Sequence, residues 1–256
     1  MRNLILFVLT ILTTFLVGGA IYSVTLMTIL MAHELGHFLM SQKYKISVTL
    51  PFFIPLPLPP FGTLGAIIKM RGSMTSRRAL FDIAVAGPMA GFFFTIPALI
   101  MGLKLSTVIP LSEACGFSLQ LGGSILFLAM AKAFVGAVPQ GSDILLHPMA
   151  YAGWTGLFVM ALNLLPIGQL DGGHVVYALL GRRSKAVYMG SMIVFAAICA
   201  FFYPGWALLI MLILFFGLRH PPPKDEMTPL DLKRKLIGVF TLVLFALAFT
   251  PVPFKF

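Results

Sequence analysis

Residues 22–42, YSVTLMTILMAHELGHFLMSQ, decide the fold. As a helix rising 1.5 Å per residue, this apolar run is long enough to cross a hydrocarbon core about 30 Å thick. Yet it carries His33, Glu34 and His37. Ionisable side chains in a spanning helix are costly to keep and are usually functional. Positions four apart share a helix face, so both imidazoles can grip one Zn²⁺ while Glu34 reaches a water beside it. Hydrolysis within the membrane is therefore the first reading, with a pair of structural histidines at a helix end as the plainer one. The motif supplies two ligands and leaves a third to be found.

Composition agrees with a polytopic membrane protein. Mean hydropathy is +0.99, with 59% hydrophobic and 10% charged residues, which excludes a soluble fold. The expected fold class is all-α, with about seven transmembrane helices in a single integral membrane domain over 1–256. A core at about 22–180 is followed by accessory helices at about 186–256. Arg2 and the apolar run behind it resemble a signal peptide, but no small-residue cleavage site with a polar continuation follows, so the run reads as a retained first span. Cys115 and Cys199 lie far apart and suggest neither a disulfide framework nor a Cys-rich metal site. The net charge of +10 is scattered between apolar runs, which suits membrane orientation and not nucleic acid.

With spans at 4–20, 22–42, 80–103, 150–166, 186–203, 205–218 and 236–250, and a cytoplasmic amino terminus, every Lys and Arg except Lys104, Lys132 and Lys255 falls inside. Lys69 and Arg219 are among those counted inside. The run 121–138 then cannot be a full crossing, because Arg182, Arg183 and Lys185 would otherwise lie outside. Lys132 within it and Gly122, Gly123 and Pro139 at its ends suit a segment lying on or dipping into the outer leaflet.

Between the second and third spans, five prolines in Pro51–Pro60 forbid a continuous helix while the intervening side chains stay apolar. The expectation is a short Pro-rich re-entrant loop beside a cavity, followed by a strand or β-hairpin near the active site. There Gly62 and Gly65 would let another backbone approach. The edge from Gly62 to Ala66, with Gly62, Thr63, Leu64 and Gly65 as the named candidates, could hold an unwound substrate segment as an added strand.

A hydrolytic zinc site usually takes three protein ligands and keeps a fourth position for water. Among the few acidic residues, Glu113 and Asp143 fall in the outer loop and Asp225, Glu226 and Asp231 in a charged inner loop. Asp82 most simply pairs with Arg78 at helical spacing. Asp171 remains, in Asn163-Leu164-Leu165-Pro166-Ile167-Gly168-Gln169-Leu170-Asp171-Gly172-Gly173, where Pro166 and three glycines interrupt an apolar helix. Orientation by basic residues puts it at the same depth as His33 and His37; a helix-capping Asp in a turn is the alternative.

These elements together closely resemble the site-2 protease family of intramembrane zinc metalloproteases. The family's H-E-x-x-H and N-x-x-P-x-x-x-L-D-G motifs are matched by His33–His37 and Asn163–Gly172, and its Gly-Pro-x-x-Gly element by Gly87-Pro88-Met89-Ala90-Gly91. The resemblance covers roughly 4–185. It implies one zinc held by His33, His37 and Asp171, Glu34 as the catalytic residue, and a substrate-backbone role at Asn163. It also implies transmembrane protein substrates, cut in regulated intramembrane proteolysis. The PDZ-like module common in the family has no room in 104–149. Physically, Gly87 and Gly91 are small residues four apart that let two helices pack closely.

His174, three residues beyond Asp171, could donate to a developing oxyanion, orient Asp171, or be a simple interfacial histidine. His147 lies on the opposite side and His220 precedes three prolines, so neither should bind the catalytic metal. The expected setting is a multi-pass protein of the inner cell membrane, or of an organellar membrane, with the active site towards the cytoplasm. Two other classes remain: a metal-binding membrane transporter, which inverted repeats would favour, and a non-catalytic scaffold derived from such a protease.

Overall fold

The computed structural model describes residues 1–68, 70–71, 74–111, 120–216, 223–225 and 227–255. Lys69, Glu113, Cys115, Arg219, His220 and Glu226 lie outside them. The fold is mostly helical, and three helical stretches are long and apolar enough to cross a membrane: Arg2–Lys43, Arg77–Lys104 and Asp171–Phe201.

The first, α1 (Arg2–Lys43), folds back on itself. Gly19 adopts φ 77° and ψ −176° inside it, a conformation open to glycine at little cost. Ser23 Oγ lies 2.7 Å from Thr14 Oγ1 and donates to the Ile11 carbonyl at 3.1 Å. In a straight helix, residues 11 and 23 would stand about 18 Å apart. The two arms thus run antiparallel, and Asn3 returns to the far end of the second arm, donating to the Leu50 and Pro51 carbonyls. That end, with Met1 and Lys43, is the basal end; the turn at Gly18–Tyr22 marks the distal end.

The Pro-rich segment climbs this hairpin and descends again. After β1 (Ser47–Val48) comes β2 (Phe52–Pro55), and after the prolines β3 (Thr63–Ile67) and β4 (Met70–Arg71). β2 pairs antiparallel with β3, and β1 with β4 below them. Phe53 is buried with its ring edge-on to Phe7, and at the top Tyr22 donates to the Phe61 carbonyl at 2.9 Å. Gly62, with φ 78°, is fixed by contact: a Cβ there would lie 2.7 Å from the Cα of Thr14.

Ser76 caps α2 (Arg77–Lys104), accepting from the Ala79 amide. α2 rises to the distal end, where β5 (Thr107–Pro110), β6 (Gln120–Leu121), α3 (Ile125–Phe134) and β7 (Ser142–Leu145) follow. β5 pairs with β7, so the chain leaves and returns at one level. The ten residues of α3 extend about 15 Å, half of what a crossing needs. Then α4 (Pro148–Asn163) descends and α5 (Asp171–Leu180) continues to the basal end. There Arg77 donates to the Ala178 and Leu179 carbonyls at 2.6 and 2.9 Å, answering the orphan carbonyls that every helix leaves at its end. α6 (Ser184–Phe201), α7 (Ala207–Phe216) and α8 (Leu232–Ala248) complete the helices, and β8 (Phe254–Lys255) pairs with β6.

Apolar clusters near each end hold these layers. Near the distal end, Trp154 stacks on Phe158 and Phe158 on Trp206, with Phe61 against both Trp154 and Phe158. Near the basal end, Leu80, Phe81, Val175 and Tyr188 pack α2, α5 and α6 together. Asp82 departs from the sequence expectation. Its partner is Arg234 of α8, which donates to both carboxylate oxygens at 2.7 Å, joined by the Tyr44 hydroxyl. Arg78 instead reaches the Pro229 carbonyl. A planar guanidinium meeting a carboxylate with two parallel bonds outcompetes a single-turn pairing on one helix.

Candidate metal centre

The second arm of α1 carries His33, Glu34 and His37 towards the break between α4 and α5. That break is built from backbone contacts only glycine permits. A Cβ at Gly172 would lie 1.9 Å from the Leu164 carbonyl oxygen, and one at Gly173 2.3 Å from that of Gly168. The chain can therefore leave α4 at Asn163, turn through Pro166, and restart at Asp171 inside a tight knot. Leu170 holds the N-cap position of α5 without a side-chain cap, and the Asp171 carboxylate turns to the histidines.

Three ligand atoms converge. His33 Nε2 lies 3.1 Å from His37 Nε2 and 3.5 Å from Asp171 Oδ2, and His37 Nε2 lies 3.2 Å from the same oxygen. A tetrahedral zinc with bonds of about 2.0–2.1 Å would separate its ligand atoms by about 3.3 Å. The triangle and its two-nitrogen, one-oxygen donor set fit that ion. These three also form the group able to hold a metal among the described residues.

The rings are aimed by what lies behind them. His37 Nδ1 is 2.8 Å from the Ile83 carbonyl, so it carries the proton and leaves the Nε2 lone pair facing the other ligands. His33 Nδ1 lies 3.0 Å from the Met160 sulfur, a weak, polarisable acceptor. Small residues make this approach possible. A Cβ on Gly87 would fall 2.1 Å from His37 Nε2, and one on Gly91 2.4 Å from the Met160 sulfur. Gly87 and Gly91 of α2 thus make room for His37 of α1 and Met160 of α4. Met160 was not singled out in the sequence, although it stands three residues before Asn163 on the same face of α4.

A cavity of about 190 Å³ opens onto the group, lined by His33, Glu34, His37, Asn163, Asp171 and His174, with Ser41, Gln169 and Ile83 beside them. Glu34 is 5% exposed. The Asn163 amide nitrogen lies 3.3 Å from His33 Nε2 and edges the same space. The hairpin contributes Ala66, Ile67 and Ile68 to this cavity. Gly62–Gly65 do not line it: Gly62 packs on Thr13 and Thr14, and the Thr63 hydroxyl is turned to the Ile54 carbonyl. His147 stands at the distal end, where its Nδ1 caps α4 by accepting from the Met149 amide.

Comparison with known proteins gives a consistent result. The family model of peptidase family M50 matches residues 21–202. The chain is 32% identical over 234 residues to the "Probable zinc metalloprotease EGY2, chloroplastic" of Arabidopsis thaliana, covering 89% of this chain and 41% of that protein. It is 31% identical over 235 residues to that plant's EGY1, with 88% and 41% covered, and 30% over 230 residues to EGY2 of Oryza sativa subsp. indica, again with 88% and 41%. The chain thus spans about two fifths of the length of these curated relatives.

Proposed function

The chain belongs to peptidase family M50, and on that premise we propose that it is an intramembrane zinc metalloprotease cutting peptide bonds in or near transmembrane segments of membrane-anchored proteins. The observation that carries this reading is the convergence of His33, His37 and Asp171 within 3.5 Å of one another, with Glu34 in the same cavity. We assign His33, His37 and Asp171 as ligands of one zinc.

Zinc, when bound there, supplies Lewis-acid polarisation of the scissile carbonyl and acidifies a water molecule. Glu34 takes a proton from water at the cavity and returns it to the leaving amine. Asn163, edging the same space, orients the substrate backbone. His174 stands close enough along α5 to steady Asp171. A transmembrane substrate hides its carbonyls in helical hydrogen bonds and must unwind first. β3 pairs only with β2 among the described residues, so its other edge is free to take an added strand. Because the hairpin lines the cavity with Ala66, Ile67 and Ile68, the part of the edge that would meet substrate at the cavity is the end at Ala66 and beyond.

The reading includes seven crossings, with α3 outside the count and the Pro-rich segment at membrane depth beside the cavity. The basal end, rich in Lys and Arg, faces the cytoplasm or the equivalent compartment. The plant relatives carry "chloroplastic" in their names, which favours testing an organellar membrane alongside the cell membrane. Release of membrane-anchored regulators is the matching role. The test is reconstitution with a labelled transmembrane peptide and zinc, comparing wild type with Glu34→Gln. Cleavage lost with zinc retained supports the enzyme, and equal cleavage by both chains rules out the assignment of Glu34.

A further inference from the structure

Ser41 lies on the face of α1 that carries His33 and His37, one turn beyond His37, and lines the cavity. It is 1% exposed, and its Oγ has no hydrogen-bond partner among the described residues. Several helical threonines satisfy their hydroxyls on their own backbone, and the helical Ser23 finds the Ile11 carbonyl across the hairpin. Thr10, Thr14, Thr28, Thr95 and Thr241 each donate to the carbonyl four residues back at 2.7 to 2.8 Å. Ser41 forgoes that bond. A buried hydroxyl left unmet is costly, and native folds keep few of them without a reason.

The substrate proposed above would supply the missing partner. A strand laid on the edge of β3 turns one row of its peptide groups towards β3 and the other row away. The outward row needs partners that lipid cannot give, and a serine hydroxyl offers both a donor and an acceptor. Ser41 sits about 6 Å along the helix from His37, and an extended chain advances about 3.3 Å per residue. We propose that the Ser41 hydroxyl hydrogen-bonds a peptide group of the bound substrate about two residues from the bond that is cut. This rests on the proteolytic reading. Ser41 is a positioning residue for an unwound polypeptide backbone, independent of substrate side chains.

The experiment uses the full chain in detergent or vesicles with a fluorescent transmembrane peptide. Affinity is measured in the Glu34→Gln background with and without Ser41→Ala, and kcat and KM are measured in the active background. The expected result is binding weakened about three- to tenfold, KM raised to match, and kcat within about twofold, consistent with loss of uniform binding. Zinc content should hold, and the thermal midpoint should stay level or rise, because alanine removes an unmet hydroxyl. Ser41→Thr, which keeps the hydroxyl, should retain affinity. Equal affinity of the serine and alanine chains would overturn the inference, as would a fall in midpoint with zinc lost, which would make Ser41 structural. Failure of zinc-loaded wild type to cleave the peptide counts against the proteolytic reading, while the affinity comparison still reads Ser41 by itself.

Discussion

Gly87 and His37 share a space that admits no methyl group between them, since a Cβ at 87 would fall 2.1 Å from Nε2 and 2.5 Å from two ring carbons. Gly36 completes the contact, with a Cβ there 2.4 Å from the Ala86 carbonyl oxygen. The backbones of α1 and α2 meet at the histidines. Gly87→Ala should push the imidazole off the Ile83 carbonyl and lower zinc affinity by about 10–100-fold. Metal analysis of the purified protein after dialysis against a weak chelator checks this, and full zinc content in the variant would refute it.

Met160→Leu isolates the support of the other imidazole. The swap nearly conserves volume and should cost less than about 1.5 kcal/mol of stability. It removes the sulfur 3.0 Å from His33 Nδ1, so zinc should be lost about tenfold more readily. Competition with a fluorescent chelator measures the change, and an unaltered release rate would show the thioether to be mere packing.

Removing the metal should stop cleavage without unfolding the chain, because the helices are held by their apolar clusters and not by the ligand triangle. Helical circular dichroism should survive treatment with a strong chelator. Co²⁺ added afterwards should restore cleavage and give the visible absorption of a tetrahedral site. Loss of helicity on chelation, or an octahedral spectrum, would contradict the geometry assigned here.

What could be read from the chain before its structure was known followed physical range. The pairing of His33 with His37 is a property of one helix, and the break before Asp171 is announced by Pro166 and the glycines, so local spacing sufficed. The small residues at 87 and 91 likewise reveal a close helix contact, though not that its partners are the imidazole of His37 and the sulfur of Met160. The partner of Asp82 is not legible locally, because Arg234 lies 152 positions away and hydropathy says nothing about which helix comes alongside. Glycines signal close approach without naming the neighbour, and at Gly62 that neighbour is Thr14.

Arg234→Met tests the brace between α2 and α8. It leaves the Asp82 carboxylate, 13% exposed as a side chain, with the Tyr44 hydroxyl as its remaining side-chain hydrogen bond and Lys43 as the nearby positive charge. Allowing for that partial exposure, stability should fall by about 2 kcal/mol. Asp82→Asn in the same chain should recover part of the loss, as coupled partners do. Thermal midpoints of the single and double variants check this, and strict additivity would deny the coupling.

The proposed crossing pattern makes a labelling prediction. With Cys115 and Cys199 replaced by serine, a cysteine at Gln42 and one at Ser142 should react with a membrane-impermeant thiol reagent from opposite faces. Cysteines at Thr107 and Ser142 should react from the same face, because β5 and β7 are paired. Labelling of Gln42 and Ser142 from one side would refute the crossings.

The interruption between α4 and α5 sets the start of α5 where one ion could join it to α1. An ion bound to His33, His37 and Asp171 ties the second arm of α1 to the start of α5, and α2 is wedged against that arm through Gly87. None of these can swing aside to admit a polypeptide without releasing the ion. The Pro-rich hairpin and the helices from α6 to α8 contribute no ligand to it. On the proposed reading, a guest therefore has to reach the cavity without parting that clamp.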